Sequence, residues 1–113
     1  MGYSRAVVDG RWVFVSGTTG FNYETMQIPG DIETQTKNCI HNINAALKEA
    51  GAVPADIVRV RYILPVADEF SKIWPLLKSW LQASPPAATM IEAGLANRQM
   101  KIEIEATALK PND

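Results

Sequence analysis

The sequence predicts an α+β fold in which one sheet, antiparallel or mixed, carries two helices on a single face. Residues 58–64 and 101–105 alternate between apolar and polar with the period of two that is typical of a half-buried strand. Residues 32–50 instead repeat apolar positions at helical spacing, and a shorter helical pattern follows from 68 to 81. The element order is β-β-α-β-α-β-β, and two helices are too few to cover both faces of so wide a sheet.

A β-hairpin is predicted at the start of the chain. Val7-Val8 and residues 12–15 are β-formers, and Asp9-Gly10 between them is a favoured two-residue turn. Residues 17–20 (Gly-Thr-Thr-Gly) are expected to break the second strand, and residues 21–30 to form a loop. A long loop beside a strand end is a common place for part of a binding site.

The first helix is predicted to begin after Asp31, a good N-cap, and to stop at Gly51. Its apolar stripe is expected to dock on the sheet and consists of Ile32, Thr36, Cys39, Ile40, Ile43, Ala46, Leu47 and Ala50. Its polar side is expected to face water and carries Gln35, Asn38, Asn42 and Glu49.

The second half of the chain is predicted to hold three strands and one helix. The first of these strands is expected to direct Val58, Val60, Tyr62 and Leu64 to one face, and Arg59, Arg61 and Ile63 to the other. Asp68 is expected to cap the helix, whose inner stripe is Phe70, Ile73, Trp74, Leu77 and Leu81. Pro75 should kink this helix or mark a restart. The last two strands are predicted at 89–93 and 100–109.

Composition bounds the classes of function. The 113 residues fit one domain, 1–113, and contain no apolar run near the roughly 20 residues that a membrane helix needs. Cys39 is the single cysteine, so no internal disulfide forms and a cytoplasmic setting is expected. The net charge is −1 and the basic residues are dispersed, which argues against a nucleic-acid partner.

Two reactive residue types are each present once. His41 lies on the polar side of the first helix and is expected to be a solvated surface histidine. Cys39 lies on the apolar stripe and is expected to be an inert buried thiol. The two side chains point in different directions, so they cannot share a metal, and no metal site is expected. Residues 16–20 lack the lysine and the following helix of a phosphate-binding loop.

The face of the sheet away from the helices is predicted to mix charged and apolar residues. For Glu105 the expected role is a cross-strand ion pair with Arg59 or Arg61. For Glu103 the pattern by itself gives no reason to choose another role, although a carboxylate at a subunit junction could orient a water molecule for attack on an electrophilic carbon. A face of this kind favours pairing with further copies of the chain, although a solvated face is the alternative.

The residues resemble the Rid family, the YjgF-type reactive intermediate deaminases. The resemblance covers essentially the whole chain, which begins later than most relatives do. It is carried by Tyr3-Ser4-Arg5, residues 12–17, Asp31 with Gln35-Thr36 and Asn42-Ile43, residues 56–60, Phe70, Pro86-Ala87 and residues 101–106. It implies a chorismate-mutase-like fold and a homotrimer with ligand clefts between subunits. The implied activity is hydrolysis of reactive enamines and imines to carbonyl compounds and ammonia, as in 2-iminobutanoate/2-iminopropanoate deaminases, without a metal or an organic cofactor.

The resemblance also implies site residues. Glu103 matches the carboxylate that positions the hydrolytic water, Tyr3 matches an aromatic residue near the cleft, and Ser16-Gly17 match a strand end that contacts the substrate. Ala88 stands where the family has its substrate-binding arginine, which makes this chain a divergent member. Trp74 stands where a small polar residue is common, which makes the cleft bulkier or more apolar.

Two functions remain open at this level. In the first, the protein is an imine or enamine deaminase with altered specificity, and hydrolysis of small imino acids is expected to be weak because Ala88 offers no charge. Arg59, Arg61 or Arg98 are candidates to replace the missing anchor. In the second, the protein is a non-catalytic trimeric small-molecule-binding or regulatory protein. An endoribonuclease activity, also attributed to relatives, ranks last.

Overall fold

A computed structural model describes residues 2–112 as one five-stranded mixed sheet with helices on one face. The strands are β1 (Ala6–Asp9), β2 (Trp12–Thr19), β3 (Ile57–Leu64), β4 (Ala87–Glu92) and β5 (Glu103–Leu109), and the helices are α1 (Ile32–Glu49) and α2 (Trp74–Leu81). The strand order is β1-β2-β5-β3-β4; β3 and β4 run parallel and the other neighbours antiparallel. The predicted fold class, α+β of the chorismate-mutase-like kind, is confirmed.

The hydrophobic core lies between the sheet and the helices. Apart from one bulge each in β2 and β3, alternate residues of β2, β3 and β5 point into it, as expected of strands with one covered face. The sheet contributes Val13, Val15, Val60, Tyr62, Leu64, Ile104, Ala106 and Ala108, and the helical side contributes Ile32, Cys39, Ile43, Leu47, Ile73, Leu77 and Leu81. The opposite face of the sheet, here called the open face, has no helix against it in the described chain.

The hairpin differs from the prediction in its turn and in its second strand. Asp9 pairs with Trp12, so the turn residues are Gly10 and Arg11 and not Asp9 and Gly10. Gly10 has φ +59°, which suits the first turn position of a type II′ hairpin. The prediction that Gly17 ends β2 is also wrong. The register shifts between Val15 and Thr18, and this bulge lets the strand continue to Thr19.

A second bulge corrects the predicted facing of β3. The register against β5 shifts between Ile57 and Arg59, so Val58 is an extra residue in the strand. Val58 is 40% exposed, whereas Ile57 is buried. Val60, Tyr62 and Leu64 face the core as predicted.

The expectation that Gln35 and Asn42 face water is wrong, because their amides bond backbone groups of the loops that cross α1. The Gln35 Nε2 donates to Pro29 O (2.7 Å) and Gln99 O (2.8 Å), and its Oε1 accepts from Lys101 N (2.8 Å). The Asn42 Nδ2 donates to Phe21 O at 2.9 Å. These bonds fasten the loop after β2, and the segment before β5, to the helix.

The second helical region is divided into two parts, and the second part begins at the residue before Pro75. Residues 67–72 form a 3₁₀ turn with no side-chain cap, so the prediction that Asp68 caps the helix is wrong. α2 begins at Trp74, and Pro75 lies in its first turn, where a missing N–H is no loss. Ile73 and Leu77 are buried as predicted, but Trp74 points outward and is 47% exposed. Within residues 2–112, no helix has the length and apolar character needed to span a membrane.

Candidate functional site

The open face of the sheet brings the acidic residues of β5 beside the arginines of β3. Glu105 pairs with Arg61 across the two strands, and its Oε1 lies 2.8 Å from the Arg61 Nη2. The predicted cross-strand ion pair of Glu105 is therefore confirmed, and Arg61 is its partner. This pair leaves Glu103, two residues earlier on the same face, without an arginine partner among the described residues.

Glu103 lies against the bulge of β2. Its backbone pairs with Thr19 on one side and Ile63 on the other. The side chain occupies the space above Gly17, so closely that a Cβ atom at position 17 would lie 2.7 Å from Glu103 Cδ. The missing side chain of Gly17, and not its backbone angles, leaves the room that the Glu103 carboxylate occupies. The glycine places a half-buried carboxylate directly beside the backbone of the bulge.

Two effects raise the pKa of Glu103 above the ordinary value of a glutamate. The larger is partial burial, which removes water from the charged form, and the second is repulsion from the Glu105 carboxylate. A carboxylate with a raised pKa is a better proton acceptor near neutral pH than an ordinary surface glutamate. Glu103 therefore combines a half-buried position beside the bulge with a raised pKa.

A cleft of about 320 Å³ opens at the same bulge. Its lining consists of Tyr3, Arg5, Ser16, Gly17, Thr18 and Tyr23. The strand bulge fixes the segment before β1 at the edge of the cleft, because Ser16 N donates to Arg5 O at 2.9 Å and Ser16 Oγ donates to Ser4 O at 2.5 Å. Three residues implied by the resemblance, Tyr3, Ser16 and Gly17, thus share one cleft, and Glu103 lies against Gly17.

Two other residues implied by the resemblance lie away from this cleft within one chain. Ala88 is exposed on the edge strand β4, which β5 and β3 separate from β2 by about 14 Å. Ala88 also pairs with Val60, so it points to the helix face, whereas Glu103 points to the open face. Trp74 lies at the start of α2, where the Lys78 Nζ is 5.6 Å from its ring centroid. Within one chain, positions 88 and 74 therefore do not line the cleft at Gly17.

The sequence interpretation missed three residues of the cleft, Arg5, Thr18 and Tyr23. The Arg5 Cζ lies 4.3 Å from the centroid of the Tyr23 ring, the geometry of a cation–π contact. The spacing of Tyr3 and Arg5 was a usable signal, because residues two apart in an extended segment point to the same side. Tyr23 carried no such signal, since it lies in an irregular loop.

The two residue types that occur once are placed as predicted. His41 is exposed on α1. Cys39 is buried, and burial, with a smaller effect of Glu103, raises the pKa of its thiol far above its usual range. The thiol therefore stays protonated and is a poor nucleophile. Within residues 2–112, no three histidine, cysteine, aspartate or glutamate side chains cluster as a metal site would require.

Comparison with known proteins identifies relatives along the whole chain. The family model described as Endoribonuclease L-PSP matches residues 1–110. A RutC family protein of Pyrococcus abyssi is 38% identical over 109 residues, covering 96% of this chain and 86% of the relative. A 2-iminobutanoate/2-iminopropanoate deaminase of Bos taurus is 29% identical over 109 residues, covering 96% of this chain and 80% of the relative.

Comparison with solved structures identifies members of the same family. A Mycobacterium tuberculosis member of the YjgF/YER057c/UK114 family superimposes with a TM-score of 0.87 at 34% identity, covering 96% of this chain and 87% of the other. RidA from an Antarctic Psychrobacter species superimposes with a TM-score of 0.90 at 27% identity, covering 96% of this chain and 89% of the other. The chain therefore belongs to the Endoribonuclease L-PSP family, which is the YjgF/Rid family.

Proposed function

We propose that this protein hydrolyses reactive imines and enamines to carbonyl compounds and ammonia, with a substrate specificity that differs from that of its relatives. The single observation that carries the proposal is the Glu103 carboxylate, half-buried against Gly17 beside an open cleft, with a raised pKa. The imine deaminases among the relatives support the same reaction class.

The reaction needs one group that moves protons. The Glu103 carboxylate accepts a proton from water as the water oxygen bonds to the imine carbon, and the C=N electron pair moves to nitrogen. Glu103 then returns that proton to the nitrogen, which gives a carbinolamine. Collapse of the carbinolamine transfers the hydroxyl proton to the nitrogen through the same carboxylate and releases ammonia as the C=O bond forms. One water is consumed, and no oxidant or reductant is needed. An enamine enters after tautomerising to the imine.

We further propose that the working site lies between the subunits of a homotrimer. The open face exposes apolar side chains that association would bury, among them Trp12 (44%), Phe14 (47%) and Val7 (53%). Ala88 and Trp74 meet Glu103 only across such an interface, given their separation within one chain. The proposed setting is the cytoplasm, with a small-molecule ligand in each cleft and without a metal, an organic cofactor or nucleic acid.

Position 88 is the proposed origin of the altered specificity. An arginine grips a carboxylate with two charge-assisted hydrogen bonds, and alanine supplies none. We expect Ala88→Arg to raise kcat/KM for freshly generated 2-iminopropanoate by about 30-fold or more, which corresponds to the lower end of 2–5 kcal/mol for a charged pair. Ammonia release above the spontaneous rate measures this effect. Ala88→Gln, which adds length without charge, is the matched control, and equal gains from both variants would refute the charge argument.

The acidic limb of the pH–rate profile tests the role of Glu103 as a base. Activity should fall as pH decreases through the raised pKa of Glu103, because only the ionised form accepts a proton. Glu105→Gln removes one of the two causes of that raised pKa, so the limb should move to lower pH. Steady-state kcat measured from pH 4 to pH 8 in both proteins gives the shift. A limb that stays in place, or moves to higher pH, would contradict the assignment.

The alternative function is a non-catalytic trimeric protein that binds a small molecule or regulates a partner. The observation that favours it is Ala88, because a family member without its usual anchor can retain a cleft while losing turnover. Ligand binding with no acceleration of any imine would support this alternative.

A further inference from the structure

Arg5 occupies a defined position in the cleft. Its backbone carbonyl accepts a hydrogen bond from Ser16 N, which ties the residue to the bulge of β2. The Tyr23 ring lies against its guanidinium at 4.3 Å, and this contact limits the conformations of a long side chain. The edge of the guanidinium, which bears five N–H donors, is left available for hydrogen bonding.

The charge of Arg5 is not neutralised within the described chain. The ion pairs among residues 2–112 join Arg61 to Glu105 and Lys72 to Glu69, and neither includes Arg5. Glu24 borders a neighbouring depression together with Arg5 and forms no ion pair with it. An arginine that lines a cleft without a carboxylate partner is suited to bind an anionic group of a ligand.

Arg5 and Glu103 flank the same glycine. Arg5 lines the cleft together with Gly17, and the Glu103 carboxylate lies against that glycine. A cation that lines the cleft and can hold an anion, and a carboxylate that can activate water, are thus both placed near Gly17. Arg5 and Glu103 form no ion pair with each other among the described residues.

We propose that Arg5, supported by the Tyr23 ring, forms an anion subsite that binds the carboxylate of an imine substrate, at a place different from position 88. This inference rests on the proposed function and specifies it: the altered specificity lies in how a carboxylated imine is held, with its carboxylate towards Tyr23 instead of position 88. It assigns specificity to a residue that sequence reasoning did not single out, in place of Arg59, Arg61 and Arg98.

The test uses pyruvate, the stable 2-oxo acid formed from 2-iminopropanoate, so that binding is measured without turnover. Isothermal titration calorimetry of the full chain compares wild type with Arg5→Gln, Arg5→Lys and Lys37→Gln. Lys37 is exposed on α1, away from the cleft. Lys37→Gln therefore removes one positive charge without changing the cleft. We expect Arg5→Gln to raise the Kd about 30-fold or more and Lys37→Gln to change it less than about 3-fold. Arg5→Lys keeps the positive charge but lacks the planar, forked set of N–H donors of a guanidinium. Its Kd should therefore lie between the values of wild type and Arg5→Gln.

The outcomes separate the subsite from the proposed reaction. An unchanged Kd in Arg5→Gln, or a wild type that does not bind pyruvate, overturns the subsite even if imines are hydrolysed. Binding that depends on Arg5 supports the subsite even if no imine is hydrolysed, in which case the proposed reaction fails alone. Circular dichroism confirms folding of each variant, and Arg5→Lys retains a testable intermediate affinity if Arg5→Gln does not fold.

Discussion

Glu103→Gln is expected to lower kcat for imine hydrolysis by about 10²–10⁴-fold, the usual contribution of a positioned general acid–base group. Glutamine keeps the size of the side chain and its contact with Gly17, but it cannot accept a proton from water. KM should change little, because the cleft keeps its shape. Steady-state ammonia release from a panel of freshly generated imines measures both constants.

The control for this variant is its neighbour on the strand. Glu105→Gln changes the same residue type two positions later and should retain turnover at pH 8, because Glu105 pairs with Arg61 and does not lie against Gly17. If both variants lose activity equally, general disruption of β5 would explain the loss better than a catalytic Glu103 would.

Stability provides an independent check on the same variant. Folding raises the pKa of Glu103, so the stability that its protonated form provides is lost as pH rises through the folded pKa. Glu103→Gln should therefore be at least as stable as wild type at pH 7. The two proteins should converge below the ordinary pKa range of glutamate. If Glu103→Gln loses activity without losing stability, Glu103 serves the reaction and not the folding of the protein.

Gln35→Ala is expected to reduce the free energy of unfolding by about 3 kcal/mol or more. Two carbonyls and one N–H, all in part-buried hydrogen bonds, lose the partner that the buried amide provides, and a typical hydrogen bond contributes about 0.5–1.5 kcal/mol. Alanine also leaves a cavity in the place of the side chain. Urea denaturation of wild type and variant measures the difference.

The matched control lies two residues further along α1. Lys37 is exposed, and Lys37→Ala should stay within about 0.5 kcal/mol of wild type. A Gln35→Ala variant as stable as Lys37→Ala would show that the loops around the helix do not depend on this amide. The predicted loss also bears on function, because Gln35 bonds Lys101 N and thereby positions the start of β5.

The main architecture was predictable because its signals are local. Alternation in β3 and β5 and the helical stripe of α1 each follow from the side that a residue presents to the core. Bulges are not visible in such patterns, since one inserted residue changes the facing only when the partner strand is known. Val58 and Gly17 were misjudged for this reason.

Buried amides were the second source of error. Gln35 and Asn42 are polar residues, and an amphipathic pattern assigns them to water. Their partners are backbone groups of loops, and Gln99 lies 64 residues from Gln35 in the sequence. Only the folded chain brings these groups together, so the amides are satisfied in the interior.

The candidate site was predictable only in part. Glu103 is one of two glutamates on the same strand face, and the resemblance, not the alternation, distinguished it from Glu105. The structure adds a reason in the contact with Gly17. The sequence interpretation favoured Arg59, Arg61 and Arg98 as anchors, whereas Arg5 lies in the segment that precedes β1. Ala88 and Trp74 stay proposals, because one chain does not bring them to the cleft.

The most direct measurement is the initial rate of ammonia release from carboxylated and uncharged imines, with wild type, with Glu103→Gln and without protein. We predict that wild type accelerates at least one imine well above its spontaneous hydrolysis and that Glu103→Gln returns the rate close to the spontaneous value. Equal acceleration by both proteins would contradict the role of Glu103. No acceleration of any imine by wild type would contradict the deaminase and favour a binding protein.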